Sequence, residues 1–320
     1  MIASSMIYAL IFVFIITFVG TIIVSGLFRF LGSAGYLNNL FPNVRGGIPR
    51  GVGIIPFIVL SFYMPSNVNN LILIIGITAF IDDLLGRKMS PFGIEWGQLS
   101  RGIGIILVMI VGVYEGLGLS SIFIALMVQP LNIADMQPGS CCIVTIIMSF
   151  VTMIAGLIIG SSAFGDLPAV YIPLLLIVVC IAYSPMDFSG RIMLGEVGNH
   201  SFAVALGLAF YAMGGLLGVI IFGIITTAFI AFVRRNTLVV FFRRELRLYN
   251  PTFGDFFMDV LTGGGLGDLF RSLILKNKQY KVTNPILRSL GFRRLLYNPV
   301  NRPSREQAPK FYTPNSARRR

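Results

Sequence analysis

Leu71-Ile-Leu-Ile-Ile-Gly-Ile-Thr-Ala-Phe-Ile-Asp82-Asp83 is an apolar run that ends in two adjacent acids. A carboxylate costs roughly 2.5 to 3.5 kcal/mol at the centre of a membrane helix and little at the interface, so the pair marks a membrane boundary. The rest of the chain fits that reading. Of 320 residues, 55% are hydrophobic and 12% charged, and mean hydropathy is +0.83. This composition excludes an ordinary soluble domain and predicts an all-α polytopic membrane protein.

Apolar runs lie near residues 6–31, 53–64, 70–84, 102–114, 120–135, 141–160, 168–184, 201–212 and 215–233. They predict about nine transmembrane helices, although several runs fall short of the roughly 20 residues that a perpendicular span needs. Charge supports the count. With nine crossings all 25 Lys and Arg fall on one side, and the loops near 65–69, 115–120, 161–167 and Gly214 hold none. The positive-inside rule then puts the amino terminus outside and the carboxyl terminus in the cytoplasm. No basic residue precedes the first apolar run, so that run reads as a retained helix and not a cleaved signal. Three cysteines, two of them the adjacent Cys141 and Cys142, suit lipid-side or core packing and offer no disulfide or zinc framework.

This topology brings Asp82, Asp83, Asn132, Asp135, Asp187 and Glu196 to one cytoplasmic boundary. Asp82, Asp83 and Asp135 sit near helix carboxyl ends, where the macrodipole disfavours an acid by roughly 0.3 to 1 kcal/mol and a bound cation would offset it. Helices running outward begin with glycine at Gly51, Gly53, Gly102, Gly139, Gly195 and Gly198, and exposed amides at such starts suit phosphate. Acids near amide-lined helix starts form the electrostatic arrangement for a magnesium-diphosphate ligand. The plainer alternative is that each acid sits in a cytosolic loop to stay hydrated.

Four motifs, in order, resemble a known family, the polyprenyl-phosphate N-acetylhexosamine-1-phosphate transferases. Asn43-Val-Arg-Gly-Gly-Ile-Pro49-Arg50-Gly-Val-Gly53 is similar to the family's first cytoplasmic loop. Phe80-Ile-Asp82-Asp83-Leu-Leu-Gly86 is similar to its paired aspartates. Asn132-Ile-Ala-Asp135-Met-Gln-Pro138-Gly139 resembles its Asn-x-x-Asp segment, and Met193-Leu-Gly195-Glu196-Val-Gly198-Asn199 its Met-Gly-Asp-x-Gly-Ser. The likeness covers about residues 43 to 207.

The resemblance implies transfer of a sugar-1-phosphate from a UDP-sugar to a polyprenyl phosphate, with release of UMP. It implies Mg2+ (or Mn2+) as cofactor, bound by Glu196 and Asp83. Asp82, Asp83 and Asp135 would be catalytic. Asn43, Arg50, Asn132, Gly195, Gly198 and His200 would bind substrate. It further implies the bacterial inner membrane, a cytoplasm-facing site and room for a homodimer. Four residues depart from the pattern: Glu196 stands for an aspartate, Pro138 for a frequent further aspartate, and Asn199 and His200 where a small residue is usual. His200 is the only histidine, which argues against the muramyl-pentapeptide branch. It fits either a phosphate contact or a hydrogen-bonded helix start. The alternative function is a member with a degraded metal site that binds a lipid carrier or scaffolds partners.

Residues 1–233 read as the membrane domain. Residues 234–320 carry 18 basic and 5 acidic residues and read as a basic cytoplasmic tail. Within it Val239 to Tyr249 suits an interfacial helix attracted to anionic lipids, Gly263 to Gly267 reads as a hinge, and the end after Asn298 as disordered. No nucleic-acid motif accompanies the charge, so nucleic acid is not an expected partner.

Overall fold

The computed structural model describes residues 2–41, 47–86, 88–89, 95–159, 168–276 and 278–298. Among them there is no β-strand, only an isolated bridge between Met89 and Glu95. The chain forms two compact units, Met1–Thr226 and Thr227–Arg320. The division falls inside the last long apolar helix rather than at residue 233.

The first unit contains α1 (Ile2–Ser33), α2 (Ile54–Tyr63), α3 (Asn69–Leu85), α4 (Trp96–Tyr114), α5 (Ser120–Leu126), α6 (Val128–Ala134), α7 (Ser140–Ile159) and α8 (Tyr171–Phe188). It also holds most of α9 (Gly195–Val233), and a single 3-10 turn, Asn38–Leu40, precedes α2. Among the described residues five helices are long and apolar enough to cross a membrane: Met6–Ser33, Trp96–Tyr114, Ser140–Ile159, Tyr171–Phe188 and Gly195–Val233. Their packing is that of membrane helices. In α1 the buried stripe is Val13, Thr17, Thr21 and Ser25, while Ile11, Phe12, Ile15, Val19, Ile22 and Ile23 face outward. The same inversion recurs in α7, which buries Cys142, Thr145, Ser149, Thr152 and Gly156 and exposes Ile147, Phe150, Ile154 and Ile158. Small residues let helix backbones approach, whereas large apolar ones face a solvent that is itself apolar. The three cysteines are free and buried, so they are packing residues.

The helix α9 is bent back on itself. Gly214 (φ −153°, ψ 21°) and Gly215 (φ 57°, ψ −142°) break its helical dihedrals, and glycine enters the positive-φ region without a Cβ penalty. Phe210 and Phe222 would stand about 18 Å apart along an unbroken helix. Their ring centroids are 5.4 Å apart, so residues 195–213 and 216–233 form a helical hairpin. The turn expected at Gly214 is there.

Successive helices run up and down. At one end Asn70 of α3 donates to Glu115 beyond α4 (3.1 Å), and the Tyr171 hydroxyl at the start of α8 donates to the Tyr63 carbonyl at the end of α2 (2.8 Å). The opposite end gathers the starts of α2, α4, α7 and α9 with the ends of α3, α6 and α8. There Arg29, near the end of α1, donates to the Arg191 carbonyl at 2.6 Å.

The second unit contains α10 (Arg235–Arg244), α11 (Phe253–Thr262), α12 (Gly265–Leu275), α13 (Pro285–Ser289) and α14 (Phe292–Leu295). The expected interfacial helix is shorter and earlier than residues 239 to 249. Its apolar positions Leu238 and Phe242 are buried, with Phe242 edge-on to Phe256 of α11 at 5.5 Å. A Thr252–Asp255 capping box starts α11. In the expected hinge, Gly263 ends α11 and Gly264, at φ 78°, opens α12. Arg294 is fully buried and paired with Asp259 and Asp268, Arg271 pairs with Asp268, and Arg293 with Asp255. Burial raises the Asp259 carboxyl above its ordinary range, desolvation outweighing the attraction of Arg294. The end expected to be disordered, after Asn298, lies outside the described residues.

Candidate functional site

Asp83, in the last turn of α3, has no solvent exposure. Its Oδ1 accepts the Glu196 N–H at 3.1 Å and its Oδ2 the Val197 N–H at 3.0 Å, while Arg50 Nε lies 3.0 Å from Oδ1. The carboxylate therefore closes the amino terminus of α9, supplying from another helix what an N-cap side chain supplies locally. An acid at the negative end of one helix is held by the positive end of a second and by a guanidinium.

The glycines around it allow this junction. Gly53 N–H donates to the Leu194 carbonyl at 3.1 Å, and the Met193 N–H to the Pro49 carbonyl at 2.8 Å. A Cβ at Gly53 would lie 2.2 Å from Leu194 O and 2.7 Å from Gly198 Cα, and one at Gly195 would lie 2.8 Å from Gly51 Cα. Gly51, Gly53, Gly195 and Gly198 thus form a backbone crossing, and the amides of Glu196 and Val197 are already engaged by Asp83.

Asp82 points the other way. Arg101, in the second turn of α4, places Nη2 2.9 Å from Asp82 Oδ2 and 3.1 Å from Glu196 Oε2. The contact follows from the close α3–α4 packing: the Ser100 hydroxyl donates to the Thr78 carbonyl at 2.6 Å, and a Cβ at Gly97 would overlap Asp82 Oδ1. Arg50 Nη2 reaches Glu196 Oε1 at 3.3 Å. His200, four residues on and wholly buried, sets Nε2 3.2 Å from Glu196 Oε2, and neither ring nitrogen makes a hydrogen bond among the described residues. Asn132 completes the shell when its amide nitrogen faces Glu196 Oε2 (3.2 Å) and its oxygen faces Arg101 Nη1 (2.7 Å). Asp82, Arg101, Glu196, Arg50 and Asp83 therefore make one continuous chain of alternating charge.

Beside this chain opens a cleft of about 230 Å³, lined by Arg50, Asn132, Asp135, Asp187, Gly195 and Glu196, with Ile48, Met136, Pro138, Ile192 and Met193 as its apolar part. Asp135 accepts from Asn199 Nδ2 at 3.2 Å. Asp187 accepts the Gly139 N–H at 3.2 Å and the Cys142 thiol at 3.5 Å. The acids that line the cleft come from different elements: Asp135 caps the end of α6, Asp187 lies in α8 and Glu196 in α9.

Of the residues expected at a site, Asp82, Asp83, Asp135, Arg50, Asn132, Gly195, Gly198, Glu196 and His200 meet at this end of the unit. Asn43 lies outside the described residues. Arg101, counted from sequence among the basic residues of one side, is the hub of the network. A lone cation at the start of the apolar helix that follows paired acids was its only signal. Asn199, read as a departure from pattern, holds Asp135.

The oxygens that the resemblance assigns to a metal are occupied. Asp83 accepts two amides and Arg50, and Glu196 is bridged by Arg50 and Arg101 and flanked by His200 and Asn132. In this arrangement Asp83 and Glu196 do not fit a magnesium shell, which needs carboxylate oxygens facing an octahedral centre. Among the described residues no three His, Cys, Asp or Glu are grouped as metal ligands. No family model matches the chain, and no curated protein matches it.

Proposed function

We propose that the protein transfers a sugar-1-phosphate, of the N-acetylhexosamine class, from a UDP-sugar to a polyprenyl phosphate. One observation carries the reading: three segments far apart in sequence, 49–53, 132–135 and 195–200, border one charged cleft at a common end of apolar helices, and a fourth, 82–83, is tied to it through Arg50 and Arg101. In the reaction an oxygen of the lipid phosphate attacks the β-phosphorus of the UDP-sugar. The new P–O–P link forms as the bond from that phosphorus to the α–β bridging oxygen breaks, and UMP leaves. Arg50, which borders the cleft, is placed to hold a diphosphate oxygen as charge moves to the leaving group. Asp135, held by Asn199, is placed to take a proton from the incoming lipid phosphate. The Glu196 bridge orients Arg50 and Arg101, and Asp83 fixes the start of α9 from which Glu196 projects.

The same reading places nine crossings in the membrane, with the amino terminus outside and the cleft facing the cytoplasm of a bacterial inner membrane, since every Lys and Arg then lies inside. Anionic lipids at the basic carboxyl-terminal unit and a homodimer belong to it.

A second reading is favoured by the saturation of Asp83 and Glu196: the protein binds a polyprenyl phosphate without turning it over. Purified protein in lipid, given polyprenyl phosphate and a panel of UDP-sugars, separates the two. The transferase releases UMP with at least one donor. No UMP from any donor, with polyprenyl phosphate still retained, establishes the second reading.

A further inference from the structure

The helix α12 is inside out. At 100° per residue, Asp268, Arg271, Ser272 and Leu275 share one side, and Phe270, Leu273 and Ile274 share the other. Arg271 and Leu275 are buried, at 7% and 8% exposure, whereas Phe270, Leu273 and Ile274 stand 62%, 63% and 75% exposed. A helix in water buries its apolar face and hydrates its charges. This one spends Arg271 on Asp268 inside the unit and turns three large apolar side chains outward.

The charges around that face are of one sign. From residue 250 to 298 the acids are Asp255, Asp259 and Asp268, and each pairs with Arg293, Arg294 or Arg271. What remains, besides the half-buried Arg288, is Lys276, Lys278 and Lys281, all exposed, and none of the four is in an ion pair among the described residues. The lysines follow α12 directly in the chain. An apolar helix face flanked by uncompensated lysines matches an anionic lipid surface, with acyl chains taking Phe270, Leu273 and Ile274 and headgroups taking the lysines. The chain enters this unit from the apolar helix that ends at Val233, so the unit is tethered where such a surface is at high effective concentration.

We infer that the carboxyl-terminal unit docks on the anionic face of the bilayer through α12, with Phe270, Leu273 and Ile274 inserted and Lys276, Lys278 and Lys281 at the headgroups. The contact is distinct from the 239–249 stretch expected from sequence, in which Phe242 and Leu246 are buried within the unit and Val240 is exposed. It rests on the protein being anchored by apolar helices, and the reaction proposed above has no part in it.

The test uses the full chain carrying Ile274→Cys, or Leu273→Cys as an independent reporter, with a nitroxide attached. The native cysteines are buried. In bilayers of phosphatidylglycerol and phosphatidylcholine the label should collide with dissolved oxygen and be shielded from a water-soluble nickel chelate. Replacing Lys276, Lys278 and Lys281 by Gln should lower the ratio of docked to undocked unit about fivefold per cation. A label open to the chelate in anionic bilayers overturns the proposal. So does equal shielding in phosphatidylcholine alone, and so does shielding that rises with protein concentration instead of anionic lipid, which would mark a contact between copies.

Discussion

Asp83 Oδ2 accepts the Val197 N–H at 3.0 Å across 114 residues of sequence, so the end of α3 holds the beginning of α9. Removing that carboxylate frees two helix-start amides and leaves Arg50 with Glu196 alone. Asp83→Ala should therefore destabilise the membrane unit by on the order of 3 kcal/mol, read as a lower thermal midpoint in detergent. Asp82→Asn keeps the cap and leaves Arg101, still paired with Glu196, a neutral hydrogen-bond partner, so it should cost less than Asp83→Ala, about 1 kcal/mol. Equal losses for the two variants would contradict the division of labour between the paired acids.

The glycine crossing gives a sharper contrast. Gly53→Ala puts a methyl group 2.2 Å from a backbone oxygen, and the opposing strand of chain is itself backbone that cannot rotate aside. The overlap should cost about 1 to 3 kcal/mol and reduce the yield of folded protein. Gly26→Ala, in a helix with nothing within 4 Å of the new methyl, serves as the comparison and should be neutral or slightly stabilising.

Much of this arrangement can be read from sequence, because a membrane span is a local property: twenty apolar residues announce a helix whatever packs against it. The α9 hairpin is legible for the same reason, since Gly214-Gly215 interrupts one apolar run. Pairing is not local. Nothing in the order of residues says that Arg101 lies between Asp82 and Glu196, or that glycines suited to phosphate amides serve a backbone crossing. The carboxyl-terminal unit misleads further, because Arg271, Arg293 and Arg294 count as basic charge in composition although each is paired inside.

Glu196 shows what a single methylene decides. Its carboxylate meets Arg50, Arg101 and His200 at 3.1 to 3.3 Å. Glu196→Asp withdraws it by about one bond length, roughly 1.5 Å, and parts it from at least one guanidinium. Loss of one charge-assisted hydrogen bond should lower UMP release about tenfold or more. Higher release from the aspartate variant would show instead that the glutamate geometry is a degraded form of a better site.

The occupied carboxylates carry an expectation for divalent ions. Mg2+ or Mn2+ added to the protein without substrate has no open oxygen pair at Asp83 and Glu196, so the thermal midpoint should stay constant across the titration. A saturable rise would mean that Arg50 and Arg101 swing aside for the metal. Repeating the titration with Glu196→Gln then locates the ligand, because a metal held by that carboxylate loses its shift in the variant.

Arg294 tests whether the carboxyl-terminal unit is a folded body held by its own charges. Its guanidinium is wholly buried and contacts both Asp259 and Asp268. Arg294→Met fills a similar volume but leaves Asp259 buried without its cation and Asp268 with only Arg271. Breaking a buried pair from one side costs about 3 to 5 kcal/mol, because the abandoned charge has nowhere to hydrate. Asp259→Asn placed on top of Arg294→Met removes the abandoned charge and should restore part of the loss. Limited proteolysis of the full chain reads both steps: cleavage between residues 250 and 298 should accelerate in the single variant and slow again in the double. No recovery in the double variant would assign the loss to packing of the long Arg294 side chain rather than to its charge.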